Sequence, residues 1–152
     1  MHARVFPTIV MMDTAIASRL IEDRLHLVVL HEGADRRYAL NFIEQLQAHH
    51  GERIGPYAWD AEAIAYGAFD EDRAASAVYL LPTTPVMLMQ SARTATDRGL
   101  VSFAYEENGI EFGVMTTLHV GRSSTPWLNI DTIRQSGITF KPTLIQIARH
   151  YP

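Results

Sequence analysis

The stretch from Leu25 to Leu30 constrains the fold of this chain more than any other feature, because five of its six residues are apolar. A strand that faces water on one side alternates apolar and polar residues, whereas a strand buried on both faces of a parallel sheet carries an almost continuous apolar run. Gly33 and a helical pattern follow this run closely. The sequence therefore predicts a central buried strand here, with helices on both sides of the sheet.

Two further segments continue the alternation of strand and helix. Ala34 to His50 repeats apolar residues at helical spacing and ends before Gly51, which predicts an amphipathic helix. Ser76 to Leu81 predicts a second buried strand. Thr84-Pro85 predicts the start of a helix, because the threonine hydroxyl accepts from a free backbone N–H and proline has no donor to leave unpaired. This order of elements is typical of a right-handed parallel α/β sheet. The predicted buried stripe of the second helix is Val86, Met89, Ala92 and Ala95.

The segments around these elements are less regular. Arg4 to Leu20 has apolar residues nearer to helical than to strand spacing, which predicts one or two short helices interrupted near Asp13. The apolar run from Val5 to Met12 also resembles part of a signal peptide, so both interpretations stay open. We predict a short strand at Arg53 to Trp59, then a short helix and a loop in the alanine-rich, acidic segment from Asp60 to Ala75.

The last third of the chain predicts an antiparallel hairpin. Leu100 to Tyr105 and Ile110 to Leu118 are strand-like. Asn108-Gly109 between them favours a type I′ turn, because both residues tolerate positive φ. The elements predicted after the hairpin are a connection at Gly121–Pro126, a helix capped by Asn129 that ends at Gly137, and a helix from Pro142 to Ala148.

Together these elements predict one α/β domain over residues 1–152. Its architecture is a single-domain three-layer sandwich, with a mainly parallel sheet and a C-terminal antiparallel hairpin. A chain of 152 residues is long enough to bury about 68–70% of its unfolded surface without a metal or disulfide.

Composition excludes several classes of function. The formal charge of −4, with one lysine and scattered arginines, is not the basic footprint of a nucleic-acid-binding protein. The chain has no cysteine, which excludes disulfides, thiolate catalysis and cysteine metal sites. No segment approaches the ~18 consecutive apolar residues of a membrane span, so we expect a protein that is not membrane-embedded.

The candidate ligand-binding residues lie at the ends of the two buried strands. Ligands of open parallel sheets bind beyond the carboxyl ends of the strands, which here are Glu32 and Gly33 after the first strand and Thr83 and Thr84 after the second. The helix that follows offers free N–H groups that could hold an anion. Ordinary turn and capping chemistry is the alternative explanation of the same residues.

Three large aromatic residues are candidate interface residues. Tyr57, Trp59 and Trp127 lie near predicted loop boundaries, and such residues are enriched among those that dominate binding energy. Core packing is the alternative, because large aromatic side chains bury well.

No catalytic, cofactor or metal motif stands out. Glu32 is the only acidic residue at the strand ends, and Leu81-Pro82 stands where the second strand would need a carboxylate for a phosphoacceptor site. Gly33 stands without the spaced glycines of a dinucleotide site. The adjacent His49 and His50 diverge on a helix and do not readily chelate one ion. Asp70-Glu71-Asp72 lacks a loop of spaced oxygen ligands for calcium. We therefore expect no catalytic residues, no cofactor and no metal, and predict that the protein is not an enzyme.

The pattern of strands and helices resembles the YfiR/HmsC-like family. The match is best at the end of the chain, where an Asn-led helix, a glycine and a small C-terminal helix occur in the same order. The stretches that carry the resemblance are Asp13, Arg24–Leu30, Ala77–Leu80, Gly99–Phe103, Asn108–Phe112, Leu128–Phe140 and Leu144–Ala148.

The resemblance implies an exported, periplasmic α/β regulator without catalytic activity, often a homo-dimer. Its implied partner is a membrane diguanylate cyclase, which such proteins repress by protein–protein contact in cyclic di-GMP signalling. The sequence departs from the family in lacking the cysteines through which some members respond to oxidation. The alternative function is a small-molecule (solute) binding module, related in shape to one lobe of a solute-binding protein.

Overall fold

One eight-stranded sheet forms the centre of the computed structural model, which describes residues 1–152. The strands are β1 (Leu25–His31), β2 (Arg53–Ile54), β3 (Tyr57–Ala65), β4 (Ala77–Leu80), β5 (Val101–Ala104), β6 (Thr116–Val120), β7 (Ser124–Asn129) and β8 (Arg149–Tyr151). The α-helices are α1 (His2–Val10), α2 (Arg36–His50), α3 (Pro85–Asp97), α4 (Ile130–Ser136) and α5 (Pro142–Ile147).

The order of strands in the sheet is β2-β3-β1-β4-β5-β6-β7-β8. The five strands β3, β1, β4, β5 and β6 are parallel, while β2 and β7 run antiparallel to β3 and β6. Val29 of β1 lies between Ala63 of β3 and Tyr79 of β4. The two buried strands predicted from their apolar runs are therefore neighbours, as expected.

The alternation of side chains along β1 and β4 divides the core into two layers. Leu27, Val29 and Tyr79 pack on one face with residues of α1 and α2, and Val28 and Leu30 pack on the other face with residues of α3. Both strands are buried because helices cover both faces, which is why their sequences do not alternate. The predicted α/β three-layer sandwich is confirmed.

The N-terminal apolar run is part of the core. Phe6 and Val10 of α1 are fully buried. After α1 the chain is interrupted at Asp13, a buried carboxylate that accepts hydrogen bonds from Arg19 Nε at 2.6 Å and from the Ala15 N–H at 2.9 Å. A 3₁₀ helix follows at Ile16–Arg19, which agrees with the prediction of one or two short helices interrupted near Asp13.

The prediction for residues 53–75 is wrong in its middle part. β2 contains only two residues, and β3 continues through Ala65 where a short helix was expected, with a 3₁₀ turn only at Tyr66–Ala68. Alanine and acidic residues have low strand propensity, but seven residues of β3 pair with β1 and tertiary pairing overrides that preference. Its acidic residues face solvent on one side, where His26 Nε2 lies 3.1 Å from Glu62 Oε2.

The buried face of α3 also differs from the prediction. Thr84 caps the helix as expected, and its hydroxyl accepts from the N–H of Met87 at 3.3 Å. Val86 and Met89, however, are 64% and 53% exposed, and Leu88 lies in the core instead. Ala92 and Ala95 are buried as predicted. Two overlapping apolar stripes share these alanines, and spacing alone did not decide which of the two faces the sheet.

The predicted hairpin between Leu100 and Leu118 is wrong. Asn108-Gly109 lies in a 3₁₀ helix, Glu107–Phe112, and β5 and β6 are parallel rather than antiparallel. A Cβ at Gly109 would lie 2.5 Å from Ala104 Cβ, so the glycine here serves close packing rather than a turn.

The antiparallel hairpin of the C-terminal part is formed by β6 and β7. The segment expected to be a connection, Gly121–Pro126, ends in strand β7, where Pro126 pairs with Leu118. The two short helices after it are present as predicted: Asn129 Oδ1 accepts from the Thr132 N–H at 3.1 Å, and Gly137 ends α4 with φ of 76°. β8 was not predicted, and it pairs parallel with β7.

Candidate functional site

A cleft lies at the carboxyl ends of β1, β4 and β5. We call it the aromatic cleft and define it by His2, Asp35, Tyr38, Phe42, Tyr79 and Tyr105. Its volume is about 630 Å³. Ligands of open α/β sheets bind at this edge, so the position agrees with the general rule for such folds.

The fold brings the cleft residues together from four segments. Tyr38 and Phe42 are four residues apart on α2 and share one helix face. Tyr79 lies in β4 and points to the face that α1 and α2 cover. Tyr105 directly follows β5, and His2 begins α1.

Two stacked aromatic rings, Phe42 and Tyr79, form the floor of the cleft above the fully buried Phe103. The ring centroids of Phe42 and Tyr79 are 4.0 Å apart with an interplanar angle of 19°, and Tyr79 stacks on Phe103 at 5.7 Å. His2 closes one side, with its ring centroid 5.3 Å from Phe103 and 5.7 Å from Tyr105. Stacked and edge-to-face pairs of this kind fix ring positions, so the floor is a preformed apolar surface.

The Tyr79 hydroxyl is the polar group of the cleft floor, and it makes one hydrogen bond. Tyr79 OH lies 2.7 Å from His2 Nδ1. Burial, with smaller contributions from Tyr105 and Tyr66, raises the pKa of Tyr79 well above its ordinary value. Burial, helped by the positive charge of the N-terminal amino group, lowers the pKa of His2. Both groups are therefore neutral at neutral pH, and the Tyr79 hydroxyl donates to Nδ1 when the ring proton is on Nε2.

The rim of the cleft is polar on the α2 side. Asp35, Asn41 and Gln45 line this side, and no lysine or arginine side chain lines the cleft. Asp35 occupies the position before the first residue of α2, but its carboxylate makes no capping hydrogen bond to the helix. The rim thus combines one carboxylate with two amide groups, which are suited to hydrogen bonding a polar part of a ligand.

Two of the four residues predicted at the strand ends bond each other, and none of the four lines the aromatic cleft. The Thr83 hydroxyl donates a hydrogen bond to the Glu32 carboxylate, which joins the ends of β1 and β4. Gly33 lies in a short 3₁₀ turn, and the Thr84 hydroxyl caps α3. The Thr84 contact is of the capping type, whereas the bond between Thr83 and Glu32 links the ends of two neighbouring strands. The neighbouring His31 is buried, with its Nε2 atom unpartnered.

The three predicted interface residues have different environments. Trp59 is buried, and its indole N–H donates to the Gly51 carbonyl at 2.9 Å. Tyr57 is half-buried in β3. Trp127 is half-buried in β7, with the Arg149 guanidinium carbon 5.6 Å from its ring centroid. Trp127 thus has partly exposed ring surface on the sheet, whereas Trp59 belongs to the core.

Sequence reasoning missed the aromatic cleft because its residues are far apart in the chain. One local signal was available: Tyr79 is a tyrosine within an otherwise aliphatic buried strand, and a buried hydroxyl needs a partner. Tyr105 also directly follows a strand, at the edge where ligands bind. Neither signal indicated His2 or the residues of α2.

The histidines do not assemble into a metal centre. No group of three or more histidine or acidic residues is placed to hold a metal ion. The Nε2 atom of His50 lies 2.7 Å from the Ala3 carbonyl oxygen, and this hydrogen bond links the end of α2 to α1.

Comparisons with known proteins identify similar folds only. The sequence matches no model of a known protein family, and it matches no curated protein. A conserved domain protein from Vibrio cholerae O1 biovar El Tor has a similar structure, with a TM-score of 0.59 at 13% identity, covering 91% of this chain and 60% of that one.

A second solved structure is the ABC domain in complex with L-Trp from Streptococcus pneumoniae. It superimposes with a TM-score of 0.56 at 8% identity, covering 93% of this chain and 61% of that one. At these identities the likeness concerns the fold alone, and this chain spans about 60% of the length of the two structures. None of the helices of this chain has the length and apolar character needed to cross a membrane.

Proposed function

We propose that this protein binds a small organic molecule in the aromatic cleft and does not convert it chemically. The observation that carries the proposal is the cleft itself, a cavity of about 630 Å³ over a stacked aromatic floor at the carboxyl edge of the parallel strands. Small-molecule sites are typically concave, mostly apolar, and supplied with a few polar groups. The aromatic cleft has each of these properties.

The arrangement of polar groups favours binding over catalysis. The rim offers Asp35, Asn41 and Gln45, but no nucleophile next to a base. His2 and Tyr79 hydrogen-bond each other, and burial favours the neutral form of both groups. The solved structure of similar fold that contains L-Trp also supports a binding role.

A ligand screen by thermal denaturation tests this proposal. A ligand that binds only the folded state at about 100 times its Kd adds about 2.7 kcal/mol of stability, which raises Tm by several degrees in a domain of this size. We expect small aromatic compounds to raise Tm of the natural protein. The combined substitutions Tyr38→Ala and Tyr105→Ala, at side chains more than half exposed, should abolish the shift.

The matched control is Tyr151→Ala, which removes a tyrosine of β8 outside the cleft. It should leave the ligand-induced shift unchanged. If hits raise Tm of the double cleft variant as much as that of the natural protein, they bind elsewhere and the proposed site is wrong.

A second candidate function is a regulator that works by protein–protein contact, as the resemblance to the YfiR/HmsC-like family implies. We propose for it a periplasmic location, a homo-dimeric state and a membrane diguanylate cyclase as partner. The observation that favours contact is the surface around Trp127, where Arg149 lies over the indole ring and Tyr151 contacts its edge at 5.7 Å between centroids. Tryptophan, tyrosine and arginine dominate many interfaces.

Co-purification tests this second candidate. The natural protein should retain the periplasmic region of a diguanylate cyclase from the same genome, and Trp127→Ala should release it. The control is Tyr38→Ala, at an exposed aromatic residue of the aromatic cleft, which should keep the partner bound. Retention of the partner by Trp127→Ala, or no binding of any such cyclase by the natural protein, would contradict this function.

A further inference from the structure

We propose that the aromatic cleft selects ligands that carry a protonated amine on an apolar body of about the size of an aromatic ring. This inference rests on the proposed binding function and specifies its ligand class. It follows from the charged side chain that lines the cleft and from the aromatic residues beside it.

The side chains that line the cleft include one charged group, the carboxylate of Asp35. No lysine or arginine is among the lining residues, and the nearest cation to the aromatic rings that the contacts show is the Arg37 guanidinium, whose carbon lies 5.4 Å from the Tyr38 ring centroid. Met1 at the rim is 63% exposed as a residue and Asp35 is half-buried, so we expect water to screen the Met1 amino group more than the Asp35 carboxylate. An amine of the ligand would therefore find an opposite charge at the rim that lacks an ion-pair partner within the chain.

The aromatic residues add a second attraction for a cation. Tyr38 and Tyr105 are more than half exposed at the mouth, while Tyr79 and Phe42 form the floor. The faces of such rings carry a negative quadrupole that attracts ammonium groups. Aromatic rings beside a carboxylate are the combination that recognises amines, while the stacked floor accommodates the apolar body of the same ligand.

An anionic ligand is disfavoured at the same place. The first turn of α2 offers free backbone N–H groups, which ordinarily suit a carboxylate or phosphate. Asp35 stands at this helix start and would repel an anion. His2 would not compensate, since burial lowers its pKa and keeps the imidazole neutral. The cleft thus discriminates by charge among compounds of similar shape.

Four indole compounds of similar size but different charge test the inference. Tryptamine is a cation, indole-3-ethanol is neutral, indole-3-acetate is an anion and L-Trp is a zwitterion. We expect calorimetric titration of the natural protein to give the highest affinity for tryptamine, about tenfold above indole-3-ethanol, and the lowest affinity for indole-3-acetate.

Substitutions assign the charge preference to the cleft. Asp35→Asn keeps the shape of the side chain and breaks no capping bond, and it should weaken tryptamine about fivefold while leaving indole-3-ethanol unchanged. Asp131→Asn is the matched control, because Asp131 also lies at the start of a helix but outside the cleft. Tyr105→Leu should weaken tryptamine more than it weakens indole-3-ethanol.

The possible results separate this inference from the proposed function. If indole-3-ethanol or indole-3-acetate binds as well as tryptamine, and Tyr105→Leu weakens both, the binding function stands and the preference for amines is wrong. If Asp35→Asn and Asp131→Asn weaken tryptamine equally, the charge preference does not belong to Asp35. If none of the four compounds binds, both the inference and the proposed aromatic ligand site are overturned.

Discussion

Replacing Tyr79 with phenylalanine tests how the floor of the aromatic cleft is held together. The substitution removes one hydroxyl and keeps the ring, so the stacking on Phe42 at 4.0 Å and on Phe103 at 5.7 Å is preserved. The bond between the hydroxyl and His2 Nδ1, 2.7 Å long, is lost. The change therefore isolates the polar contact from the packing of the ring.

The expected loss of stability follows from the burial of this hydrogen bond. Tyr79 is 1% exposed, so water does not replace the lost partner from the tyrosine side. A buried hydrogen bond contributes about 0.5–1.5 kcal/mol net, and leaving a buried partner unpaired costs about 1–3 kcal/mol. Since His2 is only partly buried, we expect a loss of about 1–2 kcal/mol. In a domain of this size that lowers Tm by about 2–4 °C per kcal/mol.

A double-mutant cycle with His2→Phe measures the contribution of this hydrogen bond to stability. The phenylalanine keeps an aromatic ring against Phe103 and removes the nitrogen atom that bonds Tyr79 OH. In this background the hydroxyl is already unpartnered, so Tyr79→Phe should be neutral or stabilising. Urea unfolding with unchanged m-values measures both steps. An equal loss from Tyr79→Phe in both backgrounds would refute the role assigned to the hydrogen bond.

Three further outcomes are expected. Burial lowers the pKa of His2 in the native state, so protonation of His2 should destabilise the fold. The contribution of His2 to stability should be complete above its unfolded pKa of about 6.5 and be lost as pH falls through the lowered native pKa. Urea unfolding at several pH values should show a smaller loss of stability at low pH in His2→Phe than in the natural protein. Leu88→Ala should lower the free energy of unfolding by about 2–4 kcal/mol, and Met89→Ala should lower it by less than about 0.5 kcal/mol. A larger loss from Met89→Ala than from Leu88→Ala would contradict the observed buried face of α3. Gly109→Ala should cost about 1–3 kcal/mol of unfolding free energy, since its Cβ would lie 2.5 Å from Ala104 Cβ, and an unchanged urea midpoint would contradict that close approach.

The central strands were predictable because their signal is local. The apolar run of β1 and the Thr84-Pro85 start of α3 each report on a backbone state that a few neighbouring residues decide. The cap at Asn129 belongs to the same class, since the side chain bonds an N–H three residues later. These local features do not depend on how the rest of the chain packs, as long as the helix or strand itself forms.

The errors occurred where distant residues decide the structure. β3 is a strand because β1 lies beside it, although its own alanine and acidic residues do not favour a strand. Asn108-Gly109 has the composition of a turn, but the close approach to Ala104 requires a glycine for packing. β8 exists only because β7 offers it an edge.

The sequence by itself determined the layered α/β architecture, because burial on both faces of β1 is encoded in the five apolar residues among the six from Leu25 to Leu30. Only the tertiary structure decided the aromatic cleft, which joins His2, Tyr79 and Tyr105 over a separation of up to about a hundred residues. The physical reason is that helix and strand periodicity depend on neighbours in the chain. A binding site depends instead on which side chains the packing of the sheet and helices brings to one edge.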